Sequence, residues 1–409
     1  MSTLPCHNNH FTLSSIFWLV GGGFLYRIGT RVADRDAALF ATAFYLLLPF
    51  GTVASRSFQP DPLMVMFMLA SVLAILRHDA GPSRGRLALA AALSALAFVI
   101  KPSSVFVVMA TFVALAVYRQ GIRHALWSRS FGVFVGFTVV PALLIYWYGV
   151  VKGVFLVGEA QKTLLPGLWF SPFFWRGWLM QIGTTVGFVC FVGALLGTFG
   201  FRRGLPQALI TGLWVGYVAF CLVLNYNVAT HNYYQLQLIP IVALSLGPIV
   251  ALAMQRAHEL RPAWGWRLGI WAVWCLALAL SLADARAKLA NPFAERKVAI
   301  QQEIGEQVGH SRRAIFLSGD YGVPLEYNGL LCGSPWPLYS DLEWEQLTGR
   351  PVLKADDRFS RWYSKHVPEY FIVEDFPELA QQPDLERFLS RFPVLVKKRD
   401  YVIYKLRAS

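Results

Sequence analysis

The sequence has little charge, few cysteines and none of the common nucleotide-binding motifs. Of its 409 residues only 15% are charged, against roughly 25% in an average soluble domain. The five cysteines do not combine with histidines at the spacing of a zinc site. Neither a Walker loop nor a Gly-x-Gly-x-x-Gly loop after a strand is present. These absences argue against a nucleotide-binding or zinc-binding fold. They leave the cofactor unknown, with a divalent metal still open.

Long apolar runs are what the sequence has instead. Hydrophobic residues make up 56% of the chain and aromatic residues 15%, a composition typical of membrane helices ending in aromatic belts. A bilayer core of about 30 Å needs about 20 helical residues. By that measure we predict a mostly α, polytopic membrane bundle of about ten spans. These lie near 12–31, 36–54, 61–76, 87–100, 103–118, 130–149, 179–200, 206–224, 235–254 and 268–283.

The positive charge is confined to this apolar part. All of the formal net charge of +13 lies before about residue 284, and the rest of the chain is neutral and more polar. We therefore predict a transmembrane domain over 1–283 and a soluble domain over 284–409. Nucleic acid is not expected as a partner, because the arginines stand singly or in small groups between apolar runs and form no basic face.

The loops between the runs predict how the chain is oriented in the membrane. One alternating set carries 14 Lys and Arg and the other carries five. An excess of positive charge marks the cytoplasmic side, so the second set and the soluble domain are expected outside the cytoplasm, at the plasma (inner) membrane. The five residues of that set are Arg56, Lys101, Lys152, Lys162 and Arg176.

The soluble part is predicted to be a small α/β domain. The segments 314–319 and 369–375 are short apolar runs typical of buried strands, and 394–406 reads as a hairpin. The segment 377–392 reads as a helix between them, and a strand–helix–strand order of this kind predicts an α/β fold.

Three polar groups in the expected outer loops are candidates for a site. The hairpin 54–64 carries Arg56, Gln59 and Asp61, with prolines on both sides of Asp61 that prevent a continuous helix. Asp61 is interpreted either as a cap for the next helix or as an acid held beside a cation at the lipid boundary. Lys101 precedes Pro102 between two apolar runs, and it is either a snorkelling lysine or a charge for a lipid phosphate.

The third group is the most polar outer loop, 225–240. His231, Asn232, Tyr233 and Tyr234 cluster there at the start of an apolar run. Two tyrosines at an interface are ordinarily belt residues, but the histidine and asparagine beside them make a denser hydrogen-bonding group. The long loop 151–178 adds many aromatic residues, which favour an amphipathic helix lying in the interface.

The order of these motifs resembles a known family. The sequence SR…PD between two spans, a short hairpin broken at Lys-Pro, and HNYYQLQLIP entering a late span are similar to membrane glycosyltransferases of the GT-C type. This group uses polyprenyl-phosphate sugars and includes protein O-mannosyltransferase-like enzymes and aminoarabinose transferases of lipid A. The resemblance implies a helical membrane domain followed by an exported α/β domain.

The resemblance also implies roles for the candidate residues. Arg56, Lys101 and His231 are expected at the donor phosphate. Asp61 is the remaining candidate for the catalytic carboxylate, either to place the acceptor or to act as a partial base. Gln59, Tyr233 and Tyr234 are expected to line the pocket for sugar or acceptor. The implied partners are a polyprenyl-phosphate-linked sugar, the lipid bilayer and an acceptor of unknown class.

The sequence also departs from the family pattern. In the family, the first span is followed by an exported loop with an acidic residue, whereas the segment before the run at 12–31 has no Asp or Glu. We therefore expect the first span and loop to be missing, and an inactive truncated homologue remains an alternative. A transporter or flippase of a lipid-linked solute is another, although its spans usually carry ionisable groups near the membrane midplane.

Overall fold

A computed structural model describes residues 9–57, 59–152, 164–260, 263–290, 293–347, 349–363 and 368–406. The chain divides into two compact units, Met1–Leu289 and Ala290–Ser409. The domain boundary predicted at 283/284 falls inside the last helix of the first unit, Ala263–Leu289.

The first unit is helical throughout its described length. Its α-helices are α1 (Asn9–Val32), α2 (Arg35–Leu47), α3 (Pro49–Ala54), α4 (Asp61–Ala80), α5 (Arg84–Ile100), α6 (Ser104–Trp127), α7 (Arg129–Val151), α8 (Pro172–Thr185), α9 (Phe188–Thr198), α10 (Leu205–Val223), α11 (Asn225–Thr230), α12 (Leu238–Ser245), α13 (Gly247–Glu259) and α14 (Ala263–Leu289). Two 3-10 helices, Pro166–Phe170 and Asn232–Gln237, lie among them.

Helices occupy all ten positions predicted to span the membrane, but not all of them meet the requirements of a span. Among the described residues, six helical segments are long and apolar enough to cross a bilayer, and a bent pair could make a seventh. The segment predicted at 36–54 is broken where Pro49 starts a new helix, and α5 has only 17 residues. The structure therefore supports a multi-pass membrane protein, and the count of ten spans is not confirmed.

The span predicted at 179–200 is not one straight helix. Helices α8 and α9 meet at an angle of 95°, because Gly187 adopts a φ of +77° that a continuing helix does not allow. The apolar run alone gave no sign of this break.

Close packing between α6 and α10 depends on two glycines. A Cβ at Gly216 would lie 2.5 Å from the Val107 Cα, and one at Gly212 would lie 2.8 Å from the Thr111 Cα. The two glycines are four residues apart, so they face the same neighbour and let the backbones approach closely.

The second unit is an α/β domain built on five strands, as the resemblance implies for the end of the chain. Its helices are α15 (Phe293–Gln307), α16 (Val323–Gly329), α17 (Tyr339–Leu347), α18 (Ala355–Tyr363), α19 (Phe376–Ala380) and α20 (Pro383–Leu389), and its strands are β1 (Ala314–Leu317), β2 (Gly333–Pro335), β3 (Tyr370–Val373), β4 (Val394–Lys397) and β5 (Val402–Lys405).

The sheet of this unit has the order β2-β1-β3-β5-β4. Strands β2 and β3 run parallel to β1, whereas β5 is antiparallel to both β3 and β4. The strands predicted at 314–319 and 369–375 and the hairpin at 394–406 are present. The helix predicted at 377–392 is two short helices, because Pro383 begins a second one.

Candidate functional site

Segments from five parts of the membrane unit surround one cavity of about 670 Å³. The segments are the end of the hairpin 54–64, the turn between α5 and α6, the second half of α7, the end of α10 and the 3-10 helix Asn232–Gln237. Its lining residues are Gln59, Pro60, Asp61, Phe98, Lys101, Pro102, Ser103, Val105, Phe106, Val139, Ala142, Leu143, Tyr146, Val223, Leu224, Tyr233 and Tyr234. Five of the seven candidate residues therefore lie on the same cavity.

The backbone around Asp61 and Lys101 follows from the prolines beside them. Helix α4 begins at Asp61, with Pro60 as its N-cap and Pro62 in its first turn, where a missing N–H costs no hydrogen bond. Helix α5 ends at Lys101, which is extended at φ −153° and ψ 113°. A residue before proline is disfavoured in the helical region, so Pro102 stops α5 and turns Lys101 toward α4.

These two side chains form an ion pair that is largely out of solvent. The Lys101 Nζ donates to the Asp61 Oδ1 at 2.7 Å, and the two side chains are 15% and 2% exposed. Asp61 is therefore not the side-chain cap of α4, since the N-cap is Pro60 and has no side-chain capping bond. Lys101 does not simply snorkel to the headgroups, because its ammonium is directed to a buried carboxylate.

Two tyrosine rings complete the surroundings of this ammonium. The Lys101 Nζ lies 4.1 Å from the Tyr234 ring centroid and 4.8 Å from that of Tyr233, within range of cation–π attraction. The Tyr234 hydroxyl accepts a hydrogen bond from the Asn227 Nδ2 at 2.7 Å. Both tyrosine rings therefore face the ammonium and the cavity. They are not ordinary belt residues, which face the membrane interface.

The remaining two candidates belong to segments that reach the cavity. The His231 ring lies 5.3 Å from the Tyr233 ring, and its Nδ1 is 2.7 Å from the Thr230 Oγ1. Arg56 is exposed in the same hairpin as Asp61. Neither residue is among those that line the cavity, so the structure does not bring the three predicted phosphate-binding residues together on its wall.

The first part of the chain is similar to a known protein family. Residues 9–147 match the family model described as dolichyl-phosphate-mannose-protein mannosyltransferase. That stretch includes Asp61, Lys101 and the part of α7 that lines the cavity. The resemblance to GT-C membrane glycosyltransferases is confirmed.

This chain also shares its fold with solved structures. The chain is similar to ArnT from Cupriavidus metallidurans bound to undecaprenyl phosphate, with 16% identity and a TM-score of 0.55, over 98% of this chain and 84% of that one. The apo state of the same protein matches with 15% identity and a TM-score of 0.55, over 97% and 83%. A comparison with curated protein sequences gave no match.

Sequence reasoning missed the part of the cavity that comes from α7. Val139, Ala142, Leu143 and Tyr146 lie one or two turns apart and line one wall. They belong to a run that is apolar on every side, so periodicity gives no signal for the face that turns inward.

A buried polar chain that supports the 3-10 helix was also missed. The Tyr217 hydroxyl accepts from the Trp178 Nε1 at 3.0 Å and donates to the Gln235 Oε1 at 2.5 Å. Gln235 in turn donates to the Val228 carbonyl. Buried polar groups need such partners, and this chain ties α8 and α10 to the segment that presents Tyr233 and Tyr234.

The long outer loop is only partly described. Residues 153–163, which include Lys162, lie outside the described residues. In the rest of it, the Trp169 Nε1 donates to the Leu222 carbonyl and the Trp175 Nε1 donates to the Trp169 carbonyl. Within the described ranges, no group of three or more His, Cys, Asp or Glu could hold a metal ion.

Proposed function

We propose that this chain is a membrane glycosyltransferase that moves a sugar from a polyprenyl-phosphate donor to an acceptor at the extracytoplasmic face. The observation that carries the proposal is the Lys101 ammonium, which lines a mostly apolar cavity and lies between a buried carboxylate and two aromatic rings. The family match and the fold support the same class.

Lys101 is proposed to bind the phosphate of the donor. An ammonium has three N–H donors, and Asp61 accepts one of them. In a site of low dielectric, a cation near the leaving phosphate stabilises the negative charge that develops there. Arg56 and His231 are also proposed to bind the phosphate. Arg56 lies in the same hairpin as Asp61, and the His231 ring lies next to the Tyr233 ring.

The apolar walls are proposed to hold the first isoprene units of the lipid. Val105, Phe106, Val139, Ala142 and Leu143 line the cavity together with Lys101. The volume of about 670 Å³ is within the ordinary range for small-ligand pockets of roughly 300–1,000 Å³. It suits a sugar phosphate with the nearest part of its lipid chain, while the remaining chain extends toward the bilayer.

Asp61 remains the proposed catalytic carboxylate, and its pairing gives it a further role. In the reaction, an acceptor oxygen or nitrogen attacks the anomeric carbon while the bond from that carbon to the phosphate oxygen breaks. Polyprenyl phosphate leaves with the electron pair, and a carboxylate takes the proton of the acceptor. Asp61 also fixes the position of Lys101, whereas Gln59, Tyr233 and Tyr234 are proposed to contact sugar or acceptor.

The extracytoplasmic location of the site is inferred from the loop charges. Asp61 and Lys101 belong to the set of loops that is poor in arginine, and the opposite ends of α4 and α5 carry Arg77, Arg84 and Arg86. The positive-inside rule then puts the cavity on the outer side. The second unit is proposed to lie on that side as well.

A transporter of a lipid-linked solute is a second candidate. The bent pair α8 and α9 favours it, because transporters often bind their substrates at interrupted helices. The two proposals differ in chemistry, since only the transferase releases polyprenyl phosphate from the sugar.

The test uses the purified full chain in nanodiscs. Undecaprenyl-phosphate mannose and undecaprenyl-phosphate aminoarabinose are supplied as donors with a membrane extract as acceptor source, and the release of undecaprenyl phosphate is measured. We expect release that depends on the chain and is lost in Lys101→Met. It should persist in the matched control Lys152→Met, an exposed lysine outside the cavity lining. Donor that is bound without release supports the transporter, and equal release in both variants contradicts the phosphate site.

A further inference from the structure

A second cavity of about 480 Å³ lies between α5 and α7. Arg84 and Arg129 line it together with Ala88, Ala92, Val133 and Phe137. It shares two helices with the first cavity but none of its residues, and the proposed reaction assigns it no role.

The charged residues of the two cavities lie at opposite ends of α5. Helix α5 begins with Arg84 and ends just before Lys101. Its 17 residues, at about 1.5 Å each, put Arg84 about 25 Å from Lys101. In α7, Arg129 is the first residue and Tyr146 lies near the other end. The second cavity is therefore at the face of the membrane where the arginine-rich loops gather.

The charge of the two arginines is not compensated nearby. Each is the first residue of its helix, and neither helix has an acidic residue in its first turn. A cation at this end is unfavourable, since the helix dipole is positive there. Among the described residues, neither guanidinium forms a salt bridge, whereas the neighbouring Arg119 pairs with Asp79 at 2.7 Å. The pair of arginines thus presents positive charge to the groove, and no carboxylate of the described residues pairs with either guanidinium.

The walls of the groove are apolar and reach the lipid-facing surface. Val133 is 44% exposed and Phe137 is 68% exposed, and both follow Arg129 along one face of α7. On α5, the small side chains of Ala88 and Ala92 leave the space that forms the groove. A ligand that fits has an anionic head and an apolar tail.

We propose that this groove binds an anionic phospholipid, with its phosphate between Arg84 and Arg129 and an acyl chain along Ala88, Ala92, Val133 and Phe137. A basic pocket between membrane helices is a known way to recognise such headgroups. The proposal does not depend on the transfer reaction. It commits to a phospholipid rather than a polyprenyl phosphate, because the groove ends at the face opposite to the Lys101 cavity.

The test is native mass spectrometry of the full chain after exposure to vesicles of equal parts phosphatidylglycerol and phosphatidylcholine. Wild-type chain should retain phosphatidylglycerol. The double variant Arg84→Gln/Arg129→Gln should retain it about 10- to 30-fold less, since each basic residue near a lipid surface contributes about 1 kcal/mol. A second variant, Ala92→Leu, keeps both charges and fills the groove, and it should also lose the lipid.

The matched control is Arg202→Gln/Arg203→Gln. These exposed arginines directly precede Gly204. A Cβ at Gly204 would lie 3.2 Å from the hydroxyl of Tyr118, the neighbour of Arg119 in the Arg119–Asp79 pair. The two arginines therefore lie at the same end of the membrane unit as the groove. Retention should be unchanged in this control. Equal retention by the groove variants and the control overturns the proposal, and so does preferential retention of undecaprenyl phosphate by the groove when it is added to the vesicles.

Discussion

Among the described residues, each unit of the molecule has a cation that is largely out of solvent and paired with a carboxylate, and the two cations have different surroundings. In the membrane unit, Lys101 contacts Asp61 and lines a cavity of about 670 Å³. In the second unit, the Arg358 guanidinium is 2% exposed, donates to Glu345 at 2.9 Å and lies 5.4 Å from the Trp362 ring. Arg358 has almost no exposure to solvent, whereas Lys101 lines space that a ligand could fill.

The surroundings of a buried ion pair decide whether it indicates a structural or a functional role. Burying two charges costs several kcal/mol per ion, and a buried pair is therefore weak evidence for stability. Where the cation closes a core, its loss should be felt mainly by folding. Where the cation faces a cavity, the free energy spent on burying its charge is consistent with a function. Substituting that cation should mainly weaken ligand binding and slow the reaction.

The largest expected effect is that of Lys101→Met. We expect donor turnover to fall about 100- to 1,000-fold, the cost of removing one preorganised donor from a developing negative charge. The variant should also be less stable, because Asp61 is left buried without its partner. Turnover and the thermal midpoint of the full chain in detergent are measured together.

The double variant Lys101→Met/Asp61→Asn separates the two effects. Removing both charges relieves the uncompensated carboxylate, so the thermal midpoint should return toward that of the wild type while turnover stays low. Recovery of turnover in the double variant would contradict the role of Lys101 at the phosphate.

Arg358→Met tests the corresponding cation in the second unit. We expect a loss of about 1–3 kcal/mol in the stability of the second unit, since a buried hydrogen bond to a charged group is removed. Faster hydrogen exchange in β5 (Val402–Lys405) reports this loss. Binding of undecaprenyl phosphate should stay within twofold of wild type, and a loss comparable to that in Lys101→Met would break the proposed distinction.

Tyr234→Ala should have a smaller effect than Lys101→Met. Its ring is the nearer of the two aromatic faces around the ammonium, and a desolvated cation–π contact contributes about 0.5–2 kcal/mol. We expect undecaprenyl phosphate to bind about 2- to 30-fold more weakly. Tyr234→Phe keeps the ring and removes the hydroxyl that accepts from Asn227, so it should bind better than the alanine variant. The reverse order would show that the hydroxyl matters rather than the ring.

The smallest effect concerns an exposed pair in the second unit. Lys398 and Tyr401 donate hydrogen bonds to Glu303, and these bonds hold the pKa of the Glu303 carboxyl below its ordinary value. A carboxyl with a lowered folded-state pKa contributes stability above its unfolded pKa of about 4.3, and that contribution is lost as the pH falls further. Glu303→Gln should therefore make hydrogen exchange in β5 less sensitive to acid below about pH 4, with no change in turnover at neutral pH.

Proline and the polar loop residues made much of the site predictable. The prolines around Asp61 and after Lys101 predicted two turns at one face, and HNYYQLQ predicted a polar entry to a late helix. All three segments meet at the first cavity. Local chemistry specified these turns, since proline restricts the backbone wherever it occurs.

What the sequence did not reveal depends on contacts between distant residues. Asp61 and Lys101 are 40 positions apart, so their pairing follows from the packing of α4 against α5 and α6. The face of α7 that lines the cavity is no more apolar than its other faces, and the sharp bend between α8 and α9 lies in an unbroken apolar run. Arg56 and His231 share the right loops, but sequence alone could not tell that their side chains stand beside the lining.

The most direct test of the account is an electron cryo-microscopy structure of the full chain in nanodiscs with undecaprenyl phosphate. We predict phosphate density in the first cavity, within about 4 Å of the Lys101 Nζ, and an isoprenoid chain along α7 at Val139 to Leu143. Undecaprenyl phosphate bound elsewhere, with the cavity at Lys101 containing no phosphate at saturating lipid, would contradict it.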